Sequence, residues 1–186
     1  MAAAWELVRE EGLASLSMRD LGKRVGMRAQ SLYSYFASKH EITDAMFLEG
    51  YQAFAGFMLR AIDDEQLAND PVGAAKTVAR AFVDFCTSDP VRYQLLFQRT
   101  IPGFTPSPRS YAVAVDVYDR MREQLATIGV RDEAAVDLWT AVLTGLADQQ
   151  ISNDPGGDRW TRLVDRAVDM LLADIEMNTQ DTGEKA

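Results

Sequence analysis

Apolar positions along this chain recur at helical spacing almost from its first residue. Trp5, Leu7 and Val8, with Leu13 and Leu16 beyond, mark an amphipathic first helix that Gly12 ends. Ser17, followed three residues later by Asp20, pairs a hydroxyl with a carboxylate that can satisfy free N–H groups, and so opens a second, short helix over Leu21 to Val25. Gly26 breaks that helix, because glycine tolerates the left-handed backbone of a tight interhelical turn. Gly22 lies one turn earlier, where it lets two helix axes approach closely. The next helix has Leu32 and Phe36 as its buried side. Two short crossed helices joined by a glycine-containing turn form a helix-turn-helix unit, giving a three-helix head through about Phe36.

Ser38 and Glu41 form a second capping box and open a long fourth helix. Its apolar members Ile42, Ala45, Met46, Ala53, Phe54, Phe57, Met58, Ala61 and Ile62 keep helical spacing for about six turns. Asp63 to Gly73 reads as an acidic loop with an Asn69-Asp70-Pro71 turn signal. Ala74 to Thr87 is again helical, and Asp89-Pro90 opens the next helix, lined by Tyr93, Leu96 and Phe97. Thr100 to Pro108 holds three of the six prolines and is expected to be irregular. Helices are predicted over Arg109 to Ile128, Glu133 to Ile151 and Trp160 to Ile175, with a turn at Asn153 to Gly157 and a frayed polar tail from Asn178. No stretch alternates as a strand does. The expected fold is all-α: a helix-turn-helix head (residues 1–45) joined by a long helix to a helical bundle (residues 46–186).

Charge changes this picture in one place. Ser17 to His40 carries five basic residues (Arg19, Lys23, Arg24, Arg28, Lys39) against one acid (Asp20), a local balance of +4 on a chain whose net charge is −9. A basic island on an acidic protein is the electrostatic footprint of nucleic-acid binding. Around it Gln30, Ser31, Tyr33, Ser34 and Tyr35 can bond phosphates or base edges. The single cysteine, Cys86, leaves no internal disulfide or cysteine-based zinc site, fits a reducing cytosol, and reads as a small buried hydrophobe. No apolar run approaches the roughly 18 residues of a membrane span, and Met1 to Trp5 lacks the regions of a signal peptide.

Residues Gly12 to Ile42 resemble the DNA-binding domain of the TetR (tetracycline-repressor) family of bacterial transcription regulators. The resemblance rests on Gly12, Leu16 and Ser17, then Leu21-Gly22, Val25-Gly26, Leu32-Tyr33, Phe36, and finally Lys39 with Ile42. It departs from the family in two ways. Arg28 stands where a Ser or Thr usually caps the recognition helix, so that cap is expected to be weakened. No basic arm precedes the first helix, so contacts from one are not expected. What the resemblance implies is a cytoplasmic homodimeric regulator, by default a repressor, released from a palindromic operator by a small-molecule effector that shifts the fourth helix. Arg28 and Gln30 are the candidate base readers. Ser17, Ser31, Tyr33, Ser34, Tyr35, Lys39 and His40 are candidates for the rest of the contact with double-stranded DNA.

The second part of the chain resembles the family weakly. The segment Trp139 to Gly145 is similar to a Trp-(x)-His-Gly motif of some family members, with Thr144 in place of the His. A three-helix reader covers few base pairs, so two copies related by a two-fold axis are expected to read two half-sites. Trp139, Val142 and Leu146 on one helix and Val164, Val168, Leu171 and Ile175 on the last supply the candidate partner interface. Phe82, Phe85, Phe97, Phe104, Tyr111, Tyr118 and Met121 are the candidate lining of an effector pocket, walled by the Pro-rich loop.

Enzymatic readings find no support. The lone histidine, His40, has no second His or Cys to complete a metal site, and no Gly-rich phosphate loop or Gly-x-Ser-x-Gly elbow occurs, so no cofactor or metal is expected. A helical interaction module without DNA binding would explain the acidity and the apolar stripes, but not the basic island.

Overall fold

The computed structural model describes residues 1–61 and 68–183, with side chains described as far as Ile175. The helices that lie wholly among the described residues are α1 (Ala2–Glu11), α2 (Met18–Arg24), α3 (Ala29–Leu32), α4 (Lys39–Ala61), α5 (Pro71–Ser88), α6 (Pro90–Phe97), α7 (Pro108–Thr127), α8 (Glu133–Asn153) and α9 (Val164–Gly183), with 3-10 turns at Leu13–Ser15 and Thr161–Leu163. No strand occurs among the described residues, in agreement with the all-α expectation. Nor, among them, is any helix long and apolar enough to cross a membrane.

Local side-chain chemistry sets most helix starts. Ser17 Oγ accepts the Asp20 N–H at 3.1 Å and donates to Asp20 Oδ2 at 2.6 Å. Glu41 donates its N–H to Ser38 Oγ at 3.3 Å, so Ser38 caps α4, and the Glu41 carboxylate reaches back to accept the Ala37 N–H, one residue before the cap, at 2.7 Å. Asp89 caps α6 by accepting the Arg92 N–H at 3.1 Å, with Pro90 in the first turn, where its missing N–H costs nothing. Gly26 adopts φ +68° between α2 and α3, and a Cβ on Gly22 would lie 2.8 Å from the Met27 carbonyl oxygen, so glycine is required for that turn to close.

Several boundaries differ from expectation. The helix after Gly26 is a single turn, Ala29–Leu32, and Phe36 beyond it is half-buried. Pro71 to Gly73, expected to be loop, form the first turn of α5, because Asp70 caps it through the Gly73 N–H at 2.9 Å. Ile62 and the acidic stretch as far as Leu67 lie outside the described residues. The last helix begins as a 3-10 turn at Thr161, and its backbone stays helical to Gly183, past the expected fraying point at Asn178.

The chain divides into two compact units, Met1–Phe54 with Asp89–Val115, and Ala55–Ser88 with Asp116–Ala186. A division at residue 45 follows role along the chain; the units are grouped otherwise because the 89–115 segment returns to the head. In the first unit Trp5, Leu7 and Val8 of α1 pack with Leu16, Met18, Leu21, Leu32, Ile42, Met46 and, from α6, Leu95. Asp89, only 7% exposed, ties α1 to α6 by accepting from Arg9 Nε and Nη2 at 3.0 and 2.8 Å. In the second unit α5, α8 and α9 pack together around Val83, Cys86, Val136, Trp139, Leu143, Val164 and Val168. The buried Gln150 closes the α8–α9 turn: its amide donates to the Asp154 carbonyl while its oxygen accepts the Trp160 N–H at 2.8 Å.

Candidate nucleic-acid interface

Leu32 is buried in the head core and anchors α3, so its neighbours are pushed outward. Arg28, Gln30, Ser31, Tyr33, Ser34, Tyr35, Lys39 and His40 are all exposed, Tyr33 at 49% and Tyr35 at 72%. All eight lie on α3, its flanking turns or the first turn of α4, which the Ser38–Glu41 box sets directly after the α3 turn. Arg28 occupies the N-cap of α3 and makes no side-chain capping bond, as the departure from a Ser or Thr predicts. Ser34 Oγ donates to the Ser31 carbonyl at 2.7 Å, which leaves its lone pairs as the groups facing outward. Ser17 is the weakest of the sequence-predicted contacts. It is half-buried and its hydroxyl proton goes to Asp20, so its work is to cap α2.

The cationic island is smaller than its sequence count. Arg24 pairs with Glu10 and lies 3.8 Å from Glu6 on α1; its hydrogen bond holds the Glu10 carboxyl below its usual pKa. Lys23 pairs with Asp20 at 2.7 Å, and with Ser17 it holds the Asp20 carboxyl below its usual pKa. Arg19, Arg28 and Lys39 make no ion pair among the described residues. Arg19 was counted with the basic residues but not placed among the contacts; its exposed position on α2 makes it a third cation available to phosphate.

The expected effector lining falls on both units. Phe97, Phe104 and Tyr111 belong to the first unit, whereas Phe82, Phe85, Tyr118 and Met121 belong to the second. Phe85 is buried core against Phe57 at 5.5 Å between ring centroids, and Phe97 packs on Phe54 at 5.2 Å. Tyr111 and Tyr118 are exposed, at 54% and 39%, because they sit on the rim of the buried face of α7; Arg122 lies over Tyr118. The expected partner face also needs correction. Trp139, Val164 and Val168 are 4%, 1% and 0% exposed within the single chain, so they are core and have no surface left to cover. Val142, Leu146, Leu171 and Ile175 are half-buried, with Leu138 and Met170 exposed beside them.

Residues 1–46 match the family described as bacterial regulatory proteins, tetR family. Relatives extend beyond the head. The HTH-type transcriptional regulator Rv1816 of Mycobacterium tuberculosis is 28% identical over 127 residues, 66% of this chain and 54% of that protein. The HTH-type transcriptional repressor Rv1353c of the same organism is 30% identical over 146 residues, 76% of this chain and 51% of that protein. The head, residues 1–46, belongs to the TetR family. The chain spans about half the length of the curated relatives it matches. Its fold is similar to that of the TetR family transcriptional regulator PfmR of Thermus thermophilus, with a TM-score of 0.66 and 22% identity over 92% of this chain and 95% of that one. It is also similar to Thermus thermophilus FadR, a family repressor in complex with lauroyl-CoA, with a TM-score of 0.58 and 17% identity over 92% of this chain and 90% of that one.

Proposed function

We propose that this protein is a TetR-family DNA-binding transcriptional regulator, acting in the cytosol as a homodimer that sets one α3 into each of two successive major grooves of a palindromic operator. The observation that carries the reading is the exposed set on α3, its flanking turns and the first turn of α4: Arg28 and Lys39, without an ion pair among the described residues, two exposed tyrosines and an exposed Gln30, on a chain of net charge −9. Arg28 reads guanine and Gln30 adenine, the side-chain pairings that bidentate geometry favours. Tyr33, Tyr35, Lys39 and His40 hold phosphates and set register without reading sequence. The half-buried apolar residues of α8 and α9, with Leu138 and Met170, supply the partner face. Repression, and release by a small molecule held in the helical part from 46 onward, follow the family default; FadR in its complex with lauroyl-CoA is a family example of a bound small molecule.

Selection of bound duplexes from a random-sequence library tests this. The expected product is an inverted repeat whose half-sites lie about one helical turn apart. Affinity for it should fall steeply with salt, by a log–log slope of about −0.9 for each phosphate neutralised. A protein that enriches no duplex at low ionic strength refutes the reading.

A further inference from the structure

One polar cluster of the first unit lies off the α3 surface and is not used by the reading of DNA. Asp44, on the second turn of α4, accepts the Ser107 N–H at 2.7 Å, the Ser107 hydroxyl at 2.9 Å and the Ser110 hydroxyl at 2.8 Å. Ser107 Oγ in turn accepts the Ser110 N–H at 3.2 Å, which makes Ser107 the cap of α7. Asp44 is thus a carboxylate brought from another helix to the N-terminus of a 20-residue helix, where both the free N–H groups and the helix dipole favour negative charge. Partial burial works against that charge, but the three bonds outweigh it and hold the carboxyl below its ordinary pKa. The neighbouring contacts continue the same seam. Phe104 packs on His40 and Phe47, at 6.2 and 6.3 Å between ring centroids, and Tyr51 donates its hydroxyl to the Leu96 carbonyl at 3.2 Å.

The first two turns of α4 are therefore held on two sides by different forces. Ile42 and Met46, both 0% exposed, enter the apolar core of the head. That burial fixes depth but is non-directional, so it permits the helix to roll and slide. Asp44 faces the start of α7 through three aligned bonds, which fix roll and register. Lys39 and His40 lie one turn before Asp44, on the same rigid rod.

We propose that Asp44 is a positioning residue for DNA contact: by tying the start of α7 to the second turn of α4, it sets where Lys39 and His40 meet the phosphate backbone. This rests on the DNA-binding reading above. Without the tie the head keeps its core, but its α4 end spreads over several positions, of which only a fraction is competent. Apparent affinity falls by that fraction. Pure electrostatics argues the reverse, since removing an anion from the neighbourhood of DNA strengthens binding.

The test uses the duplex pool that the wild-type chain enriches from a random library, at a temperature where circular dichroism shows each variant folded. Asp44→Ala and Ser110→Ala are each expected to weaken binding, Asp44→Ala by about tenfold, with the salt slope unchanged because no phosphate contact is lost. The double variant should bind no more weakly than Asp44→Ala alone, since both changes break one cluster. Lys39→Ala, as control, lowers the slope by about 0.9. Asp44→Asn, which keeps the shape and loses the charge, takes the place of the alanine variant if that one fails to fold. Affinity at or above wild type in the Asp44 variant overturns the proposal, as do additive losses in the double variant. A wild-type chain that enriches no duplex overturns the DNA-binding reading instead, and this inference with it.

Discussion

Replacing Asp89 tests how the head is held to the segment that returns to it. The carboxylate is 7% exposed and accepts five hydrogen bonds: Arg9 Nε and Nη2 at 3.0 and 2.8 Å, Arg92 N–H at 3.1 Å, and Arg92 Nε and Nη2 at 3.2 and 3.0 Å. Asp89→Ala removes the cap of α6, worth about 1 kcal/mol, and takes away the carboxylate that Arg9 and Arg92 share. Arg9 is 46% exposed and Arg92 23%, so both recover water, and the ion pairs add about 1–2 kcal/mol rather than the larger figure for fully buried charges. The total is about 2–3 kcal/mol. Asp89→Asn keeps a capping oxygen and should cost about half as much. Urea unfolding followed by circular dichroism reads both values, with the m-value unchanged. The pH dependence follows from sign. Burial raises the pKa of Asp89, but the bonds from Arg9 and Arg92 outweigh it, so the folded value is depressed. Its contribution is therefore fully present above the unfolded carboxylate pKa of about 3.9 and is lost as pH falls through the folded value. The stability gap between wild type and Asp89→Asn should be constant near neutrality and close below about pH 4. A gap that is already negligible at neutral pH, or that persists undiminished in acid, refutes this account.

Three further substitutions probe other parts of the structure. Gly22→Ala places a Cβ 2.8 Å from the Met27 carbonyl oxygen and 3.3 Å from the Ala29 nitrogen, both backbone atoms that cannot step aside, so a loss of about 1–3 kcal/mol is expected in thermal unfolding, with weaker duplex binding. Gln150→Leu fills the same space but strips the Trp160 and Thr161 N–H groups of their acceptor, costing about 1–3 kcal/mol per group left buried and unpaired in denaturant titration; an unchanged midpoint would show that water replaces the amide. Arg28→Ala should lower the salt slope of duplex binding by about one phosphate or relax base preference, whereas Arg24→Ala should do neither, because Glu10 already holds that guanidinium; equal effects of the two would contradict the assignment of the free cations.

What could be read from the sequence was what is local in it. The boxes at Ser17–Asp20 and Ser38–Glu41 and the cap at Asp89 each need only partners three residues apart, and all three are observed. Charge counting failed where partners are remote in sequence. Arg24 finds Glu10 fourteen residues earlier, and a tally over Ser17 to His40 could not see that pair. Apolar spacing identified buried faces but not what buries them. Trp139, Val164 and Val168 lie on stripes that fit a partner as well as a core, and packing of α5, α8 and α9 within one chain decided it. Tyr111 and Tyr118 fall at the edge of the buried face of α7, where a rotation of a few tens of degrees separates lining from surface, finer than helical periodicity resolves.

The return of residues 89–115 to the head was the least legible feature, and it bears most on function. Its ties are an ion pair between residues 80 apart, a leucine lent to the head core and the three bonds of Asp44 to residues 63 and 66 further along. None has a sequence signature, because each joins one ordinary residue to another at a distance set only by the fold. Together they make the first turns of α4 depend on the start of α7 as well as on the head's own core. A change that moves the start of α7 therefore acts on Lys39 and His40 without touching α3, and the coupling extends only as far as two positions of that helix differ in the bonds they leave to Asp44.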